Sequence, residues 1–313
     1  MMHVDDYGGD GEPLLFIHGW GMHGGMWGGV LEELAKQHRV LAVDLPGHGY
    51  STGIQDSDRK GLPRTTKGQR PKLLCEGFRI QGEETIGKRE EGRGKGKTVS
   101  PNPSPLSTDG ANPSPFSLES IVDQLSAQFT GPLTVCGWSL GGQVALRWAM
   151  RKPLQVKRLV LVSSTPCFVQ KTGWDCAMAP DVLAAFAAAL QQDYATTLRR
   201  FLALQVRGAE QEREQLAILR SSLAGRGTPD LAALQAGLEI LRDVDLRTAL
   251  PQICQRTLVI AGARDTLTPQ AASQYIAAMM PDARLASIAG AAHASFLSHR
   301  EEFVKHIAGF LHE

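Results

Sequence analysis

Val135-Cys136-Gly137-Trp138-Ser139-Leu140-Gly141-Gly142 is the stretch from which the rest of the chain is read. Residues 133–136 are apolar and predict a buried strand. Residues 142–150 predict a helix with Val144, Ala145, Trp148 and Ala149 on one buried face. Between them lies G-x-S-x-G, with Gly137 and Gly141 flanking Ser139. So sharp a strand-to-helix turn needs flanking residues without side chains, because a Cβ would collide with the crossing backbone. The turn exposes the serine hydroxyl and aims the N-terminus of the next helix at it, which favours negative charge nearby. An incidental serine in a glycine-rich turn is the competing account; the strand before and the helix after argue for a nucleophile.

Working outward, strand and helix alternate. Residues 14–18 and 40–43 predict strands, with Met26, Trp27, Val30, Leu31 and Leu34 at helical spacing between them. The loop DLPGHGYS follows, at residues 44–51. Downstream, Ser117 is an N-cap for a helix carrying Leu118, Ile121, Val122, Leu125 and Phe129 on one face. After the serine turn and its helix comes a strand at 159–162. Residues 164–246 carry no clear strand signal. They predict helices at 182–190, 198–206 and 213–223, and a fourth that Thr228 and Pro229 begin as N-cap and first turn. Such a block among strands reads as an excursion from the sheet, most simply a lid. Strands at 257–261 and 283–288 and helices at 269–280 and 301–311 complete the pattern. The expectation is an α/β fold with a mostly parallel sheet and helices on both faces.

Composition bounds the partners. The chain has 313 residues, 42% of them hydrophobic, and a net charge of +1, so one domain over 1–313 is expected, with no nucleic-acid or membrane partner. No apolar run approaches the ~18–20 residues that span a bilayer, and the N-terminus lacks a signal pattern, so a cytoplasmic protein is expected. The five cysteines (Cys75, Cys136, Cys167, Cys176, Cys254) have no metal-ligand spacing and read as reduced, structural thiols. Residues 54–115 differ in texture. These 62 residues carry 12 Lys/Arg against 8 Asp/Glu, a net of +4 against −3 for the remainder, and show no sustained apolar period. Near their end NPSPLS (102–107) returns as NPSPFS (112–117). A low-complexity, disordered insertion is expected there.

A serine hydroxyl needs a base, and the base an orienting acid, in the order Ser, then Asp or Glu, then His. His299, His306 and His312 lie in or beside the closing helix. His293 instead follows a strand, among small residues in AGAAHASF (289–296). Asp265 follows the strand at 257–261, at the strand end where functional loops collect. Asp243 and Asp245 are competitors that follow a helix, and Asp282 sits at the opposite edge. Oxyanion donors are expected from the Leu140 amide and, in the loop His18-Gly19-Trp20-Gly21, from the Trp20 amide. No metal or cofactor is called for.

The set HGW, DLPGHGYS, GWSLGG, GARDTLTP and AAHASF resembles the α/β-hydrolase superfamily. More narrowly, SSTPCF (163–168), APDVL (179–183), RFLALQ (200–205) and GLEILRDVDLR (237–247) resemble the pimeloyl-acyl carrier protein methyl ester esterases of biotin synthesis. The likeness covers 12–53 and 116–311 and departs from that family at 54–115. It implies an α/β-hydrolase fold with a helical lid at 164–246, and a serine esterase with Ser139, Asp265 and His293 as triad and Trp20 and Leu140 at the oxyanion. It implies substrate contacts from Trp20, Trp138, Leu140 and Phe201. It also implies contacts to acyl carrier protein from Arg200 and Arg213, beside Arg199, Arg207 and Arg220. A monomer is expected. Two other functions stay open: a generalist short-acyl esterase or acyltransferase on the same scaffold, and a hydrolase-fold binding protein that its insertion has inactivated.

Overall fold

The computed structural model describes residues 1–51 and 116–313, which fall in one compact unit. The expected insertion at 54–115, with Cys75, lies outside the described residues. Chain order is β1 (Val4–Gly8), β2 (Pro13–Ile17), α1 (Val30–Leu34), β3 (Arg39–Val43), α2 (Leu118–Gln128), β4 (Leu133–Trp138), α3 (Leu140–Arg151) and β5 (Val156–Val162). There follow α4 (Pro180–Gln192), α5 (Tyr194–Val206), α6 (Glu212–Ala224) and α7 (Leu231–Asp243). The chain closes with β6 (Arg256–Gly262), α8 (Gln270–Met279), β7 (Ala283–Ile288), α9 (Ser295–Ser298) and α10 (Arg300–His312).

The strands form one sheet in the order β1-β3-β2-β4-β5-β6-β7. Every neighbouring pair is parallel except β1 with β3. Parallel neighbours need right-handed crossovers. The step from β2 back to β3 therefore puts α1 on one face, and the forward steps put α2, α3 and α8 on the other. α10 packs against α1 and joins its face. Strands covered on both sides become continuous apolar runs, as in Leu14–Ile17 of β2 and Leu159–Val162 of β5, all buried.

Three details depart from the sequence expectation. β1 is an additional strand, half exposed and antiparallel, held by pairing with β3 from Val4↔Val43 to Gly8↔Val40. The single helix expected over Met26–Leu34 is a 3-10 turn, Gly24–Trp27, and the short α1. Gly28, at φ 58° and ψ −148°, breaks it, although Met26, Trp27, Val30, Leu31 and Leu34 are all buried. α7 begins at Leu231 rather than at Pro229. Asp230 is extended and its amide donates to Gly47 O (2.8 Å), which fixes where the helix can start.

The core is densest beneath the serine turn. Trp138 packs edge-on against Phe296 (4.8 Å), Phe296 lies tilted on Trp27 (4.6 Å), and Trp27 packs edge-on against Phe16 (4.9 Å). Among the described residues no helix is long and apolar enough to cross a membrane.

Candidate active site

β4 ends directly in the serine. Ser139 has φ 55° and ψ −116°, a strained backbone for a residue with a Cβ, costing on the order of 1–3 kcal/mol. Close packing enforces it. A Cβ on Gly137 would sit 2.3 Å from Gly141 O, and one on Gly141 would sit 2.4 Å from Ile17 O. The Ser139 amide donates to Val162 O (2.9 Å), and the Ser164 hydroxyl donates to Ser139 O (2.9 Å). α3 starts at Leu140, so the helix N-terminus faces the serine.

The loop after β2 abuts the same point: a Cβ on Gly19 would lie 3.3 Å from Ser139 Cβ. Among the described residues, neither the Trp20 nor the Leu140 amide has a hydrogen-bond acceptor. His18 shapes this loop. The Leu45 amide donates to His18 Nε2 (2.9 Å), so Nδ1 carries the proton and donates to Gly19 O (2.8 Å). Burial, then repulsion from His48, keeps this imidazole well below the ordinary histidine range and therefore neutral. The Trp20 indole donates to Leu234 O (2.8 Å) and packs edge-on against Phe201 (4.7 Å) and Phe186 (5.5 Å).

Asp265 and His293 meet although 28 residues apart in sequence. His293 Nδ1 lies 2.8 Å from Asp265 Oδ2, with both side chains about 1% exposed. Asp265 Oδ1 accepts from the Leu267 (2.9 Å) and Thr268 (3.0 Å) amides, and Oδ2 also accepts from the Thr268 hydroxyl (2.7 Å). Burial alone would raise the affinity of this carboxyl for protons; His293 and the Thr268 bonds outweigh it and hold the pKa below the ordinary aspartate value. An ionised Asp265 is acceptor only, so His293 Nδ1 carries the proton and Nε2 offers a lone pair. Nε2 is buried with no partner among the described residues.

Backbone bonds zip the two loops together: the Arg264 amide donates to Ala291 O (2.8 Å) and the Ala263 amide to Ile288 O (3.0 Å). Gly262 fits beneath, since a Cβ there would meet Ala292 O at 2.1 Å. The Trp138 indole donates to His293 O (3.1 Å) and is fully buried, so this tryptophan holds the histidine loop from below. The competing residues are engaged elsewhere. Asp243 pairs with Arg242 (2.7 Å) and Asp245 with Arg247 (2.7 Å). His299 contacts Ser298 (2.8 Å), His306 approaches Glu302 (3.7 Å), and the His312 ring lies 5.6 Å from that of His38.

α4–α7 sit over this edge. Arg199, Arg200, Arg207, Arg213 and Arg220 are all exposed on them or at their ends. Arg200 and Arg207 border a groove of about 540 Å³ lined also by Phe186, Ala189, Thr197 and Leu204. Thr268, His18 and Ser164 take parts here that their sequence positions alone do not assign. A hydroxyl three residues after an acid and a histidine ahead of the Gly-Trp-Gly turn were the available signals, and only the folded contacts give them meaning.

Sheet order, serine turn and acid–base pair define a class. A model of the alpha/beta hydrolase family matches residues 14–306, and the chain belongs to that family. Within it the chain is a member of the pimeloyl-acyl carrier protein methyl ester esterases, which are carboxylic ester hydrolases. It is 38% identical to the enzyme of that name from Nitrosomonas europaea, over 97% of this chain and 96% of the relative. It is 33% identical to the one from Nitrosospira multiformis, over 96% and 95%. An esterase structure from Exiguobacterium antarcticum superposes with a TM-score of 0.73 at 20% identity, covering 100% of this chain and 96% of that one, and shares the fold.

Proposed function

We propose that this chain removes the methyl group from a methyl pimeloyl chain borne on acyl carrier protein, in the cytoplasm, as a step of biotin synthesis. The observation that carries the chemistry is the buried His293 Nδ1–Asp265 Oδ2 contact of 2.8 Å beside the serine turn. The names of the relatives at 33% and 38% identity support the substrate.

Ser139 Oγ attacks the ester carbonyl while His293 Nε2 takes its proton, and Asp265 stabilises the imidazolium. The carbonyl oxygen becomes an oxyanion between the Leu140 and Trp20 amides. When the tetrahedral species collapses, the C–OMe bond breaks and His293 returns the proton to the leaving oxygen, releasing methanol. Water then attacks the acyl-serine, losing a proton to His293. A second collapse regenerates Ser139 and frees a carboxylate on the carrier-bound chain. Phe201, Trp20 and Leu140 contact the acyl chain, and Trp138 supports the histidine loop from beneath. α4–α7 act as the lid. Their exposed arginines, Arg200 and Arg213 among them, meet the acidic carrier protein.

The test compares methyl pimeloyl-carrier protein with free dimethyl pimelate. A preference for the carrier-borne ester that fades with added salt is expected, because exposed charge pairs are screened within about 10 Å at 0.1 M salt. Equal rates at every salt concentration would instead identify a generalist esterase.

A further inference from the structure

Arg226, in the connection between α6 and α7, is a largely buried cation that the proposed chemistry does not use. Its side chain is 15% exposed, and its Nη1 lies 2.5 Å from Asp5 Oδ2 on β1. The same nitrogen donates to Asp44 Oδ2 (3.4 Å) and Oδ1 (3.5 Å). The guanidinium also lies over the Tyr50 ring, 5.0 Å from its centroid. Burial disfavours the charge, but Asp5 and Asp44 more than restore it, so Arg226 stays cationic.

Asp44 is fully buried and joins three segments at one carboxylate. Besides Arg226 it accepts the Gly24 amide (2.6 Å) and the Tyr50 amide (2.8 Å). Gly25 packs so close that a Cβ there would sit 2.7 Å from Arg226 Nη2. A second tie runs beside the first. His23 Nδ1 accepts the Gly25 amide (3.1 Å), which leaves its proton on Nε2, donated to Ser222 O (2.9 Å) near the end of α6. At its other end the same loop is fastened by the Trp20 indole to Leu234 O (2.8 Å) on α7. Residues 20–25 are thus held at one end by α7 and at the other by the end of α6 and the connection after it, and the Trp20 amide belongs to the first of these tied residues.

We propose that Arg226 is a positioning residue: it latches the connection between α6 and α7 to the loop after β2 and thereby fixes where the Trp20 amide points. A guanidinium suits this task because it keeps its charge when buried and its planar face also lies over the Tyr50 ring, whereas a lysine supplies a point charge alone. Asp5, on the outer strand, completes the pocket around it. The latch rests on the esterase reading for its kinetic assay alone.

The experiment measures steady-state hydrolysis of p-nitrophenyl butyrate by wild type, Arg226→Lys and Arg226→Met, each below its own unfolding transition. A loosened oxyanion donor weakens the transition state more than the ground state. We expect kcat of Arg226→Met to fall about tenfold with KM within about twofold, and Arg226→Lys to recover part of the loss. Unchanged kcat in Arg226→Met, or no recovery by lysine, overturns the proposal. Should Arg226→Met fail to fold, Asp5→Asn leaves Asp44 and its amide bonds in place. A fall in kcat of about twofold is expected there, and wild-type kinetics overturn the latch. A wild type without esterase activity would sink the functional proposal and leave this one standing. Hydrogen exchange at the amides of residues 20–25 then decides: faster exchange in Arg226→Met, or in Asp5→Asn where that variant replaces it, supports the latch, and identical exchange overturns it.

Discussion

The serine turn and the α4–α7 block both meet the loop after β2, yet they are held by unlike forces. In the turn, backbone presses on backbone: Gly137 against Gly141 O and Gly141 against Ile17 O. Nothing larger than hydrogen fits, so the geometry follows from a handful of adjacent residues. The block is fastened by side chains reaching across the molecule, with Phe186 and Phe201 on Trp20 and Arg226 on Asp5 and Asp44. Backbone packing makes the chemistry rigid, and side-chain contacts leave substrate preference open to substitution.

The harshest way to test that contrast is Ser139→Ala, which keeps the turn and removes the nucleophile. Its kcat on p-nitrophenyl butyrate is expected to fall on the order of 10⁵-fold or more, with the unfolding midpoint little changed. Full activity in this variant would break the mechanism. Gly137→Ala probes the other side of the turn. Its Cβ would enter the space of Gly141 O, and we expect a loss of about 3 kcal/mol in denaturant unfolding together with loss of activity. Conversely, Arg200→Glu combined with Arg213→Glu changes only the exposed surface of the block. KM for the carrier-borne ester should rise about tenfold at low salt while kinetics on dimethyl pimelate stay as in wild type.

The smallest expected effect lies on the loops facing the block. Burial lowers the pKa values of His18, His23 and His48. Below the unfolded value of about 6.5 the unfolded chain binds more protons than the native one, so stability is lost as pH falls through that value. The melting temperature should therefore drop between pH 7 and 5, and drop less in His48→Gln. Asp265 acts in the same direction but at lower pH. Its lowered pKa keeps it ionised, and its contribution disappears only as pH falls from the unfolded aspartate range through that lower value.

The same contrast explains what could be read from the sequence. β2–β7, the serine turn and the strand-end positions of Asp265 and His293 follow from local apolar runs and from glycines whose reason is nearby. β1 was not legible, because Asp5 and Asp6 sit in a strand stabilised only by its partner β3. Ser164 acts through a hydrogen bond to Ser139 O that exists only after β4 and β5 align, and the local bond from Thr268 to Asp265 gains its part only where His293 meets the same carboxylate oxygen. Arg226 meets Asp44 from 182 residues away, a distance no local pattern spans. The start of α7 moved because Gly47, on another loop, claims the Asp230 amide.

β5 and β6 pair directly, Leu159↔Thr257 through Val162↔Ile260, although α4–α7 intervene in the chain. The sheet thus treats the intervening helices as a cassette. It enters and leaves side by side at the Cys167↔Asp245 bridge, so exchanging it for another helical segment with the same end-to-end span leaves the strand register intact. It also sets a folding order. Joining β5 to β6 closes a loop of nearly a hundred residues, an entropic cost that grows only as about (3/2)RT ln n but slows the search. Helical hairpins such as α4–α5 form from local contacts and shorten that search. Variation in the cassette should therefore show first in the refolding rate, before any change in the chemistry at Ser139.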